Sequence, residues 1–235
     1  MKAVLFDAGP IISLTTNNLL WLLEPLKEKF NGEFYLTEGV RKEIVEKPIK
    51  TKKFKFEALQ VQHMIEKGVL KVISSDKIKG TAEHLLDLSS SIFYVHGNPL
   101  KPLQLGELEC LAAARIMNIP YIVVDERVTR LLLENPGQLE ELLEKRMHAD
   151  VHVKSAKLAK LHKEVAGVKL IRSFELVAIA YELGLLDRYL VKIPKARKQL
   201  LQAVLWGIKL NGCSVGHKEI DEVVSLELNK KQKNL

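Results

Sequence analysis

Four acidic residues stand where a chain can do chemistry. Asp7 closes the apolar run 2–6, and Asp125 closes the run 121–124 (YIVV). Glu43 lies one turn beyond Val40, on a helix expected after a short strand at 34–36. Glu107 lies in the first turn of an Ala- and Leu-rich helix at 105–118. Singly, each has an ordinary explanation: an acid after a strand caps the next helix, and an acid in a first turn answers the helix macrodipole. Two aspartates ending strands of one sheet change the balance, because open parallel sheets bind ligands at the carboxyl ends of their strands. Carboxylates converging there repel unless a cation lies between them. Oxygen donors without Cys or His suit Mg²⁺ or Mn²⁺, and such ions activate water for in-line displacement at phosphorus.

Those positions require a parallel sheet covered on both faces. Strands are expected at 2–6, 34–36, 69–74 and 121–124, each short, apolar on both faces and separated from the next by helical periodicity. That is the pattern of a three-layer α/β/α sandwich around a central parallel sheet. Pro10 is placed to start a helix that continues to Leu23. Thr37 is placed to cap the helix that Pro48 stops, and 56–67 is helical and closed by Gly68. Residues 47–55, with five lysines and no acid, read as a solvated loop. After Pro136-Gly137 the character changes. Residues 138–162 are charged and helical, Ser173 caps a helix to 183, and 194–210 begins on Pro194 and ends at Asn211-Gly212. The expected division is a sheet domain, 1–137, and a basic, mainly helical extension, 138–235.

The composition, 47% hydrophobic and 28% charged, is that of a globular chain. No apolar run approaches the ~20 residues of a membrane span, and Asp7 interrupts the N-terminal run before a leader-like stretch develops; a cytoplasmic protein without membrane contact is expected. Cys110 and Cys213 make neither a disulfide framework nor a four-ligand zinc site. The net charge of +7 arises beyond residue 150, where sixteen Lys and Arg face eight acids, against twenty and twenty-one in 1–150. Such asymmetry points to a polyanionic partner. Lys192, Lys195, Arg197 and Lys198 are the expected phosphate-tracking cluster. Trp206 borders them, either for stacking on a base or for packing against a neighbouring element. His148 and His152 would share a face if 138–162 were one helix, although the expected reading is an exposed polar face.

The segments LFDAGPIISL, LTEGVRKEI and LGELECLAAARIMNIPYIVVDERVTRLL, in this order and spacing, resemble a PIN domain. The likeness is greatest to the VapC-like proteins with a Gly-Glu acid motif. It covers residues 1–135 and extends more weakly to VKLIRSFELVAIAYELGLL. The resemblance implies an α/β/α metal-dependent ribonuclease whose acids fall on Asp7, Glu43, Glu107 and Asp125. Asp7, Glu107 and Asp125 would hold Mg²⁺ or Mn²⁺, and Glu43 would hold a second ion or orient water. Glu109 rivals Glu107, and the Gly106-Glu107 match favours the latter. Ala8-Gly9 stand where many PIN domains have Ser or Thr, so Ser13 or Thr15 is expected to supply the hydroxyl. A toxin-like role would bring an antitoxin partner, and the resemblance implies a homodimer. The expected function is an endoribonuclease acting on RNA; the alternative is an inactive PIN-fold RNA-binding scaffold. A flap-type DNA nuclease would carry more acids and a helical arch, and the sequence offers neither.

Overall fold

The run AVLF offers an apolar side chain to each side of the pleat, and as β1 (Ala3–Phe6) it is buried throughout at the centre of the sheet. The computed structural model describes residues 2–233, and side chains for residues 2–229. The chain continues through α1 (Ala8–Thr16), α2 (Leu23–Phe30), β2 (Glu33–Thr37), α3 (Glu38–Arg41), α4 (Lys47–Ile49), α5 (Lys55–Glu66), β3 (Lys71–Ile73) and α6 (Asp76–Ser89). Next come β4 (Phe93–Val95), β5 (Asn98–Pro99), α7 (Leu105–Met117), β6 (Tyr121–Val123), α8 (Arg127–Glu134) and α9 (Pro136–Met147). The last elements are β7 (His152–Val153), α10 (Ser155–Glu164), β8 (Lys169–Ile171), α11 (Ser173–Glu182), α12 (Ala196–Leu210) and α13 (His217–Lys233).

Five strands form one parallel sheet in the order β3-β2-β1-β6-β8, with Phe6 opposite both Leu36 and Val123, and Val123 opposite Ile171. Helices flank this sheet, which makes the expected α/β/α architecture. The strand order reverses between β1 and β6, and there the backbone ladder runs on past both strands: Asp7 N–H donates to the Val123 carbonyl (3.0 Å) and Val124 N–H to the Ile171 carbonyl (2.8 Å). Both aspartates are thereby fixed at the topological switch point, where crevices form in sheets of this kind. A small antiparallel sheet, β5-β4-β7, lies apart from the main one. A single apolar cluster joins Leu5, Phe6 and Leu111 to Phe174, Leu205 and Ile220, so the last hundred residues share the core of the first.

Several expectations are corrected by local physics. The helix from Pro10 stops at Thr16 rather than Leu23. Thr15 and Thr16 hydroxyls bond back to the Ile11 and Ile12 carbonyls, Asn17 Nδ2 takes the Ser13 carbonyl (2.7 Å), and Asn18 turns left-handed at φ 56. Polar side chains that compete for helix carbonyls end the helix. The stretch 138–162 is two helices, because His148 turns left-handed (φ 50) and His152–Val153 pair with Phe93–Tyr94 as a strand. His148 and His152 therefore share no helix face. The sequence reading has no strand at 169–171, which instead forms the sheet edge. The helix expected from Pro194 starts at Ala196, since Lys195 is left-handed (φ 54), and α13 has no counterpart in the sequence reading. No helix of the described residues is long and apolar enough to cross a membrane.

Candidate active site

Three helix beginnings surround the end of β1. Thr37 ends β2 and caps the next helix, as expected, accepting from Val40 N–H (3.2 Å). That helix widens into a π turn at Lys42–Glu46, where Lys47 N–H reaches back five residues to the Lys42 carbonyl. The cause is Pro48, which has no N–H for the Ile44 carbonyl and would crowd it in a regular helix. Such π turns recur at functional sites, and this one carries Glu43. At the start of α7, Gln104 N–H donates to Glu107 Oε2 (2.9 Å), which holds Glu107 in the first turn. At the start of α8, Thr129 N–H donates to Glu126 Oε2 (2.8 Å).

Asp7, Glu43, Glu107 and Glu126 line one cleft of about 200 Å³, together with backbone at Gly9 and Gly106. Among the described residues, no Lys, Arg or His contributes to its walls. Burial raises the Asp7 carboxyl to about 6; Glu43 and Asp125 push in the same sense, and the Ala8 and Gly9 N–H groups oppose them. Burial likewise raises Glu107 to about 7, with Asp7 and Glu126 adding to it and the Gln104 N–H opposing. Below the cleft, Cys110 Sγ lies 3.9 Å from Asp7 Oδ1, and burial pushes its thiol well above the ordinary value. Cys110 is thus core, as its apolar helix predicts.

Asp125 reaches the switch point but does not line this cleft. Its Oδ1 accepts from Ser173 N–H (2.8 Å), and its Oδ2 accepts from the hydroxyls of Ser13 (2.9 Å) and Ser173 (2.6 Å). Of the two hydroxyls named from the sequence, Ser13 is on Asp125 and Thr15 is spent on its own helix. Glu109 also leaves the cleft: its Oε2 accepts from the Thr37 hydroxyl (3.1 Å) over Gly39, where a Cβ would stand 1.9 Å from that oxygen. The expected helix cap after β6 is Glu126, not Asp125. The sequence reading missed Glu126, although the pattern Glu-Arg-Val-Thr is that of an acid three residues before the N–H it caps.

Next to the cleft is a polar groove of about 410 Å³ that shares Glu43, Gln104 and Gly106 with it; Lys42, Lys47 and Lys79 line it, as do Glu38, Glu83 and Glu109. The basic residues proposed from the sequence lie elsewhere. Lys192, Lys195 and Lys198 are exposed, and Arg197 is held by both oxygens of Asp187 (3.0 Å each). Trp206 packs edge-on against His217, with ring centres 4.9 Å apart, which answers its presence without a base.

Oxygen donors and uncompensated, desolvated negative charge fit a hard divalent cation. Among the described residues, however, no three His, Cys, Asp or Glu side chains are gathered as a formed metal cluster. Glu107 and Glu126 are instead turned onto helix N–H groups.

Comparison with curated proteins finds no match. One solved structure similar to this chain is VapBC2 from Rickettsia felis bound to a DNA fragment from their promoter, at 12% identity and a TM-score of 0.42, over 72% of this chain and 98% of that one. A family model described as a PIN domain matches residues 3–140, more than half of the chain. The chain belongs to the PIN-domain family.

Proposed function

We propose that this protein is a Mg²⁺- or Mn²⁺-dependent endoribonuclease. The observation that carries the reading is the cleft at the switch point: four acidic residues line it, and among the described residues no basic one does. Asp7 and Glu107, the two acids that burial holds at raised pKa, are assigned to hold the ion. Bound there, such an ion supplies an activated water and charge neutralisation at a phosphodiester. Glu43, on the π turn, holds a second ion or orients the attacking water. Asp125 adds negative charge to the site while staying on Ser13 and Ser173, and so fixes how α1 leaves the sheet. Lys42, Lys47 and Lys79 of the groove are assigned as phosphate contacts, with the separate exposed cluster Lys192, Lys195 and Lys198 beside Arg197 as a second RNA-binding surface. The reading further takes an antitoxin partner and a homodimer from the likeness to VapC-like proteins, and a cytoplasmic setting from the sequence.

A second reading, an RNA-binding scaffold that does not cleave, is favoured by the capping roles of Glu107 and Glu126 and by the engaged Asp125. Incubation of a mixed RNA pool with Mn²⁺, Mg²⁺ or EDTA, beside the Asp7→Asn protein, separates the two. Cutting that needs metal and disappears in the variant is expected. Salt-sensitive binding without cutting, equal in both proteins, moves the function to the scaffold.

A further inference from the structure

Beside the acidic cleft, and sharing Ile12 and Glu43 with it, lies a second pocket of about 210 Å³ between α1, the π turn and α5. Its walls are mostly apolar, with Pro48, Phe54 and Val61 among them, and Glu57 is one of its lining residues. The hydroxyls of Thr15 and Thr16 there are already bonded to α1 carbonyls. The volume is below the ~300 Å³ at which sites for drug-sized ligands begin, and it suits a single planar ring.

Phe54 is the unusual member. It adopts φ 63 and ψ 15, left-handed backbone in which a bulky residue is a true outlier, yet the residue is 46% exposed and closes no core. Strain of this kind concentrates at ligand sites. Phe54 also sits in the lysine-rich stretch 47–55, with Lys53 Nζ 4.6 Å over its ring and Phe56 exposed two residues on. Exposed aromatics interleaved with lysines on a rim beside a phosphodiester-cleaving cleft are the elements of a single-strand platform, where bases stack and ammonium groups follow the phosphates.

We propose that this pocket takes the base of a nucleotide next to the scissile phosphate, stacked on Phe54, with Glu57 accepting from an exocyclic amino group. The inference rests on the RNA-cleaving reading for its substrate. A carboxylate accepts from cytosine N4–H₂, whereas uracil presents a carbonyl oxygen at the same place. The pocket therefore selects an amino-bearing base over uracil.

The test measures fluorescence anisotropy of short labelled oligo-rC and oligo-rU on the full chain carrying Asp7→Asn, so that binding is read without cleavage. Oligo-rC is expected to bind more tightly. Adding Phe54→Ala should weaken oligo-rC roughly tenfold, the scale of losing one base–aromatic stack. Adding Glu57→Gln should erase the preference for rC while leaving binding of rU in place. Affinity and base preference that match the Asp7→Asn parent in both added variants overturn the proposal and leave the pocket as a docking place for a protein side chain. The two readings fail separately. A protein that never cuts RNA yet loses rC affinity with Phe54→Ala keeps the base pocket and loses the nuclease, and metal-dependent cutting with no base preference does the reverse.

Discussion

The Ser13 hydroxyl donates to Asp125 Oδ2 at 2.9 Å, across 112 residues of sequence, and so ties the helix that follows β1 to the end of β6. The same oxygen accepts from Ser173 at 2.6 Å. One carboxylate thus joins three segments at the point where the sheet reverses its order. Ser13→Ala should cost about 1.5–3 kcal/mol, the scale of a hydrogen bond to a charged group. The double variant with Ser173→Ala should cost more than the sum, because the last hydroxyl to go leaves a buried charge with only a backbone partner. Urea titrations of the four proteins form the cycle; strictly additive losses would remove the shared-carboxylate account.

Asp7 and Glu107 bind protons in the folded protein up to about pH 6 and about pH 7, above their ordinary 3.8 and 4.5. Their contribution to stability is therefore complete below the ordinary carboxyl range and is lost as pH rises through those folded-state values. In EDTA, the unfolding free energy from urea titrations is expected to fall between about pH 5 and about pH 8 by on the order of 1–3 kcal/mol per carboxyl, and the urea midpoint with it. Mn²⁺ should flatten that slope by replacing the protons. A midpoint that rises over this interval in EDTA contradicts the burial argument.

Replacement of Asp7 should separate stability from activity. Asp7→Asn removes a desolvated charge, so the metal-free protein at neutral pH should melt at a higher temperature than the parent while losing metal-dependent cutting. Thermal scans with and without Mn²⁺ check this. A variant that melts lower in EDTA would make Asp7 a structural residue.

The two glutamates of LGELEC are expected to behave oppositely. Glu107→Gln should abolish cutting, since Glu107 lines the cleft with Asp7. Glu109→Gln should leave kcat within about threefold, because Glu109 is turned to Thr37. Gly39→Ala drives a Cβ into Glu109 Oε2 and should destabilise by about 1 kcal/mol. Adding Glu109→Ala should recover the loss. Equal kinetic losses at Glu107 and Glu109 would show the assignment to be wrong.

What the sequence made legible follows from how local each signal is. β1, the Thr37 cap and α7 are set by contiguous apolar runs and a nearby side chain, and they appear where expected. The strand Lys169–Ile171 was hidden because KLI opens an apolar stretch that reads equally as helix, and only its partner β6 decides. The convergence of Asp7, Glu43 and Glu107 was readable from strand-end position and family likeness. The orientation of Asp125 was not, since it depends on Ser173, which sequence periodicity marks only as a helix start. The basic cluster at 192–198 was readable as charge, but the pairing of Arg197 with Asp187 reflects a turn of the chain.

The closing strand also sets when the site is finished during synthesis. Domains assemble as the chain leaves the ribosome, and all four cleft acids have been made once Glu126 is in place. Asp125 has no Ser173 to hold it, and β6 has an open edge, until β8 and the start of α11 emerge. The Ser214 N–H that binds the Asp125 carbonyl (3.2 Å) arrives later still. A nascent chain therefore carries every cleft acid well before it can fix the sheet edge beside them, and a truncated product that stops in α10 should emerge with its acids present and its cleft unset.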